Sequence, residues 1–129
     1  MKTLDIRTRS GEEIVDLTSE VQGVVVSSGI KDGLCVVFVP HTTAAVTINE
    51  NADPDVRADI LTALRRAVPD SLPYAHSEGN SPAHIKASLI GSSVTVIVEA
   101  GRLLLGTWQG IQFCEFDGPR SRKLYIQVL

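Results

Sequence analysis

The sequence has no apolar run near the roughly 20 residues that a membrane-spanning helix needs. Its longest apolar segments, LCVVFVP and VTVIV, have the length of β-strands. The amino-terminal MKTLDIRTRSG lacks the apolar core of a signal peptide, so a cytoplasmic protein with no membrane partner is the expectation. Positive charge is also scarce. Lys and Arg number 12 against 15 Asp and Glu, for a net charge of −3. A nucleic-acid backbone calls for clustered Lys and Arg, and Arg120, Arg122 and Lys123 form too small a cluster, so no nucleic-acid partner is expected. The two cysteines, Cys35 and Cys114, fall inside strand-like apolar runs and read as buried thiols rather than a disulfide or a nucleophile. Internal repeats, low-complexity tracts and linkers are missing, which leaves a single domain over residues 1–129. A domain of this size buries roughly two-thirds of its unfolded surface, so it needs neither disulfides nor a structural metal to fold.

What is present is an α+β pattern. A first strand is expected over Leu4 to Arg9, paired with Ile14 to Leu17 across the Ser10-Gly11 turn. Thr18 then caps a helix with Val21, Val24 and Val25 on one face, ended by Gly29 or Gly33. Leu34 to Val39 is continuous and β-branched, as in a strand buried on both faces. Asp53 and Pro54 open a second helix with Val56, Ile60, Leu64 and Val68 at four-residue spacing, and Pro69 stops it. A long loop with three prolines follows over residues 69–82; loops of that length inside a domain are often functional. Ser81 caps a short third helix with Pro82 at its first position and Ile85 and Leu89 inward. The rest reads as strand: Val94 to Val98, Leu103 to Leu105, Trp108 to Phe116 and Lys123 to Leu129. The last two are separated by the turn Asp117-Gly118-Pro119. The expected architecture is one α+β domain, a largely antiparallel sheet around two or three helices.

Three polar stretches interrupt this pattern. In VPHTTAAVTINEN, strand parity places His41, Thr43, Ala45, Thr47 and Asn49 on one face and the mostly apolar Thr42, Ala44, Val46, Ile48 and Glu50 on the other. The first face is small and uncharged, which leaves room above it for a ligand; a solvent-facing strand would usually carry Lys, Glu or Arg. In HSEGNSPAH, Gly79 permits a sharp turn and Asn80, Ser81 and Pro82 begin a helix whose free N–H groups suit phosphate or carboxylate. A plain helix cap explains the same residues. In LGTWQGIQFCEFDGPRSR, Trp108 is an aromatic wall for a flat ligand or a core residue. Arg120 can clamp an anion or pair with Asp117. The three histidines, His41, His76 and His84, have no short-spaced partners, so spacing alone describes three separate residues and no metal signature.

Together, PHTTAAVTINENADPDV, HSEGNSPAHIKASLIG and GTWQGIQFCEFDGPR resemble the signature segments of the YjbQ-like proteins. These are small bacterial and archaeal proteins, some described as secondary thiamine-phosphate synthases. The resemblance spans nearly the whole chain. It implies a compact α+β fold with β-sandwich character, assembled as a homotrimer with polar pockets near subunit boundaries. It implies that His41, His76 and His84 converge, with Glu50, Asn80 and Glu115 beside them. Those residues, with Thr43 and Asn49, make the candidate catalytic set. Gly79, Asn80, Ser81, Trp108 and Arg120 are the candidate ligand- or phosphate-binding residues. Three imidazoles with an open position suit Zn²⁺. Joining a pyrimidine diphosphate to a thiazole phosphate expels pyrophosphate, which normally calls for Mg²⁺ on carboxylates with Lys or Arg. Glu50, Asp53, Lys86 and Arg120 are the candidates for that work. A non-catalytic trimer holding a metabolite or metal in the same pocket is the alternative.

Overall fold

Strand alternation decides which side chains this chain buries, and it does so in two sheets rather than one. The computed structural model describes every residue from Met1 to Leu129. The elements are β1 (Lys2–Arg7), β2 (Glu13–Asp16), α1 (Thr18–Ser28), β3 (Gly33–Phe38), β4 (Ala44–Glu50), α2 (Pro54–Ala67), α3 (Ser81–Ile90), β5 (Ser93–Glu99), β6 (Arg102–Leu103), β7 (Gln109–Glu115) and β8 (Ser121–Val128). A five-stranded sheet runs in the order β1-β8-β3-β5-β6 and a three-stranded sheet in the order β2-β7-β4. All pairings are antiparallel. The domain is therefore α+β with sandwiched antiparallel sheets, as expected.

The main core lies between the sheets. Cys35 and Val37 of β3, Val96 and Val98 of β5 and Leu124 and Ile126 of β8 meet Val46 of β4 and Ile111 and Phe113 of β7. Val21 and Val25 of α1 close the same core. A second cluster sits on the other face of the three-stranded sheet, where Ala45, Cys114 and Phe116 meet Leu61 of α2 and Ala83 and Ala87 of α3. Both cysteines are free and buried. Burial pushes the Cys35 thiol up to about 11 and the Cys114 thiol up to about 12, so neither ionises readily near neutral pH.

Several local expectations shift. β1 and β2 do not form a hairpin: β1 pairs with β8 and β2 with β7, because the chain crosses from one sheet to the other after Arg7. The run from Gly33 to Phe38 is covered on one face only, with Leu34 and Phe38 exposed. Thr18 lies inside α1 rather than capping it; its hydroxyl donates to Asp16 Oδ1 and accepts from the Ile111 N–H at 2.9 Å. Gly29, at φ 72°, ends that helix in the left-handed conformation. Asp53 caps α2 as expected, accepting from the Asp55 N–H, with Pro54 in the first turn. Asn80 rather than Ser81 sits at the cap of α3. Ile85 and Leu89 face outward, while Ala83, Lys86 and Ala87 are buried. The small alanines allow α3 to approach Ala45 closely, and a longer side chain would hold it off.

Gly33 marks a second close approach. A Cβ there would stand 2.1 Å from the Leu129 carbonyl oxygen, which accepts from the Leu34 N–H at 2.7 Å. Gly33→Ala is expected to destabilise the fold by about 2 kcal/mol, the scale of an overpacked site, read as a lower midpoint in urea unfolding.

Candidate functional site

Four strand ends meet at one corner of the sandwich. Thr8 follows β1, Thr43 precedes β4, Glu115 closes β7 and Arg122 lies at the start of β8. All four residues are buried. Glu115 accepts from the Thr8 hydroxyl at 2.8 Å, from Arg122 Nε at 2.9 Å and from the Asp117 N–H at 3.0 Å. Arg122 Nη2 reaches the second carboxylate oxygen of Glu115 and also donates to Thr43 Oγ1 at 2.8 Å. A carboxylate of one sheet is thus clamped by a guanidinium of the other. Burial pushes the Glu115 carboxyl up, but hydrogen bonds from Arg122, Asp117 and Thr8, together with the Arg122 charge, outweigh it and hold it below its usual 4.5.

His41 lies in the crossing between β3 and β4, next to this pair. Its Nε2 accepts from the Lys123 main-chain N–H at 2.9 Å. Burial, then the Arg122 charge, lower its pKa from 6.5 against the opposing pull of Glu115. The ring is therefore neutral at pH 7, and with Nε2 accepting, the proton sits on Nδ1.

His41 and His84 line one cavity of about 510 Å³ with Thr42, Ser88 and Ser92. His76 meets His84 edge-to-face, with ring centroids 5.4 Å apart. The histidines thus form a chain of neighbours rather than a ring around one point. No group of three or more His, Cys, Asp or Glu side chains is placed to hold a metal ion, so the residues of one chain do not fit a three-imidazole Zn²⁺ site.

A second cavity, about 550 Å³, shares His41, Thr42 and Ser92 with the first and is lined further by Arg120, Arg122 and Phe38. A third, about 320 Å³, holds Gly79 and Asn80 together with Glu12, Asp70, Asp117 and Lys86. Lys86 is almost fully buried and bonds Glu12 at 2.9 Å, while Asn80 Nδ2 donates to Asp117 Oδ2 at 2.9 Å. Three carboxylates line it beside the start of α3, where Ser81 is the first helical residue; Glu12 is paired with both Lys86 and Arg65, and Asp117 with Arg120.

Glu50, Asn49 and Trp108 lie elsewhere. Ala44 pairs with Glu115 and Glu50 pairs with Gln109. At about 3.4 Å per residue these ends are roughly 20 Å apart. Trp108 is exposed there, and its carbonyl accepts from the Asn51 N–H at 3.1 Å. Arg122, central to the corner, was missed as a site residue by sequence reasoning. Its signal was parity, since it shares the inward face of β8 with Leu124, Ile126 and Val128.

Two packed antiparallel sheets with helices against the smaller one define a class of small α+β sandwich proteins. The chain belongs to the family described as UPF0047 protein YjbQ-like, which matches residues 2–129. It is 52% identical to UPF0047 protein MJ1081 of Methanocaldococcus jannaschii, over 96% of this chain and 90% of that protein. It is 51% identical to UPF0047 protein YugU of Bacillus subtilis, over 100% and 98%. A YjbQ/UPF0047-family crystal structure from Clostridium acetobutylicum superposes with a TM-score of 0.98 at 53% identity, covering 100% of both chains. A YbjQ-like protein of unknown function from Sulfolobus solfataricus gives 0.95 at 35%, covering 98% and 94%.

Glu115→Gln leaves Arg122 buried without a counter-charge and is expected to cost about 3 kcal/mol or more. Because the folded carboxyl lies below the unfolded 4.5, its stabilisation is complete above that pH and is lost as pH falls through the folded value. Urea midpoints measured from pH 7 downward should drop steeply below 4.5 for the parent chain and less steeply for the variant.

Proposed function

We propose that the protein binds a small phosphorylated metabolite in the cleft between His41 and His84. Thiamine-phosphate synthase transfer, joining a pyrimidine diphosphate to a thiazole phosphate, is the reaction that the family resemblance implies for it. The observation that carries this reading is the shared wall: His41, His84, Thr42, Ser88 and Ser92 line one cavity of about 510 Å³. That volume suits a small metabolite. The neutral His41 donates through Nδ1 to a substrate oxygen, and His84, with His76 at its edge, takes the opposite side. A divalent ion, Zn²⁺ or Mg²⁺, would supply charge to a leaving pyrophosphate. In one chain it would find His76 and His84 and would draw further donors from phosphate oxygens or a second copy.

Homotrimer assembly belongs to the same reading. It gives the exposed apolar residues Leu34, Phe38 and Ile97 something to pack against, and it offers the distant Glu50, Asn49 and Trp108 a route to a neighbour's cleft. One observation favours a second reading, a non-catalytic binding module: no carboxylate lines either cavity beside His41, whereas diphosphate chemistry normally seats Mg²⁺ on carboxylates.

His41→Ala, His76→Ala and His84→Ala are each expected to lower kcat/KM for thiamine-phosphate formation by about 100-fold, the scale of a lost acid–base or donor group. Full activity in all three would end the enzymatic reading. Saturable metabolite binding without turnover would establish the second.

A further inference from the structure

We propose that the cavity on the Arg120–Arg122 side of His41 is an oxyanion subsite that seats a phosphoryl group. Its lining includes two guanidiniums and one imidazole and no carboxylate, in a chain whose net charge is −3. The carboxylates that pair with the guanidiniums, Glu115 and Asp117, lie outside the lining, so it is the donors that border the cavity.

One donor, Arg122, is built into the fold, and Arg120 and Thr42 border it at the surface. Arg122 is 3% exposed. Its Nε and Nη2 are spent on Glu115 and Thr43, and Nη1 has no partner in the chain. Nη1 is also absent from the unpartnered polar atoms sealed from solvent, so it keeps an open side. Arg120 repeats the arrangement two residues earlier. Its Nε donates to the Asp117 carbonyl at 2.7 Å and its Nη2 pairs with Asp117 Oδ2 at 3.1 Å, again leaving Nη1 free. Each guanidinium is thus held by one carboxylate and keeps Nη1 without a partner in the chain. His41 contributes Nδ1–H, since Nε2 is taken by the Lys123 N–H, and the Thr42 hydroxyl makes no hydrogen bond in the chain. Two charge-assisted donors with two neutral ones match the several oxygens of a phosphoryl group better than the two of a carboxylate. The shared wall of His41, Thr42 and Ser92 lets a ligand anchored here extend into the His84 cavity. The subsite deepens the metabolite reading but binds inorganic phosphate whether or not the chain turns a substrate over.

The test is titration of the ¹⁵N-labelled full-length protein with inorganic phosphate at pH 7 and constant ionic strength, followed by amide shifts. Saturable shifts are expected at residues 41–43, 92 and 120–123. Arg120→Gln, on an exposed side chain, should weaken binding about ten-fold, the scale of one charge-assisted hydrogen bond, and Thr42→Val should weaken it less. Arg122→Lys should abolish it if circular dichroism shows the variant folded; the other two variants decide if it does not. Absence of saturable shifts, shifts centred on residues 79–83, or parent-like binding by both Arg120→Gln and Thr42→Val would overturn the proposal. Acetate binding as tightly as phosphate would overturn the phosphoryl assignment. Lost turnover in the histidine variants with phosphate binding intact would leave this proposal standing and bear only on the metabolite reading.

Discussion

The buried pair between Glu115 and Arg122 ties the molecule together where hydrophobic packing alone would not specify the join. Each residue occupies an inward strand position that its neighbours fill with Ile, Phe, Leu or Val. Two charges at that depth are costly unless every lone pair and proton is answered. Thr8, Thr43 and the Asp117 N–H answer most of them, and these partners come from both sheets. The pair therefore contributes registry between the sheets more than net stability. It also sets the position of everything beyond Thr43 and Arg122, including the crossing that carries His41.

Electrostatics divides this end of the domain into two compartments on either side of Asp117. Toward α3, Glu12, Asp70 and Asp117 line one cavity with the buried Lys86, which pairs with Glu12. Toward the crossing, Arg120, Arg122 and His41 line a cavity, and the carboxylates paired with the two guanidiniums, Asp117 and Glu115, lie outside that lining. Asp117 belongs to the first compartment yet holds Arg120 for the second. The proposed anion subsite is on the side whose lining holds no carboxylate.

Much of the architecture was legible in the sequence because it depends on local chemistry. The apolar runs Val94 to Val98, Trp108 to Phe116 and Lys123 to Leu129 marked β5, β7 and β8, Asp53-Pro54 marked the start of α2, and of the two glycines offered for the end of α1, Gly29 or Gly33, the helix stops at Gly29. What depends on long-range pairing was not. Nothing local distinguishes a β1–β2 hairpin across Ser10-Gly11 from the observed crossing, and the run from Val39 to Asn51 reads as one strand although β3 and β4 belong to different sheets. The stripe expected above β4 is covered at Ala45 by Ala83 and Ala87, because small residues serve close helix packing as readily as ligand access. His41 was legible as a candidate. The residue that fixes its surroundings, Arg122, stands in sequence between Arg120 and Lys123, and that basic cluster masks the inward parity it shares with Leu124, Ile126 and Val128.

The main-chain contact from Lys123 to His41 has its own consequence. The Lys123 side chain points away, to Asp5 at 2.9 Å, and plays no part in holding the imidazole. A peptide N–H is supplied by every residue except proline. The orientation and tautomer of His41 are thus written into the backbone path of β8 and are indifferent to which side chain stands at position 123. A comparison of side-chain identities could show free variation there while the constraint on the imidazole stayed absolute.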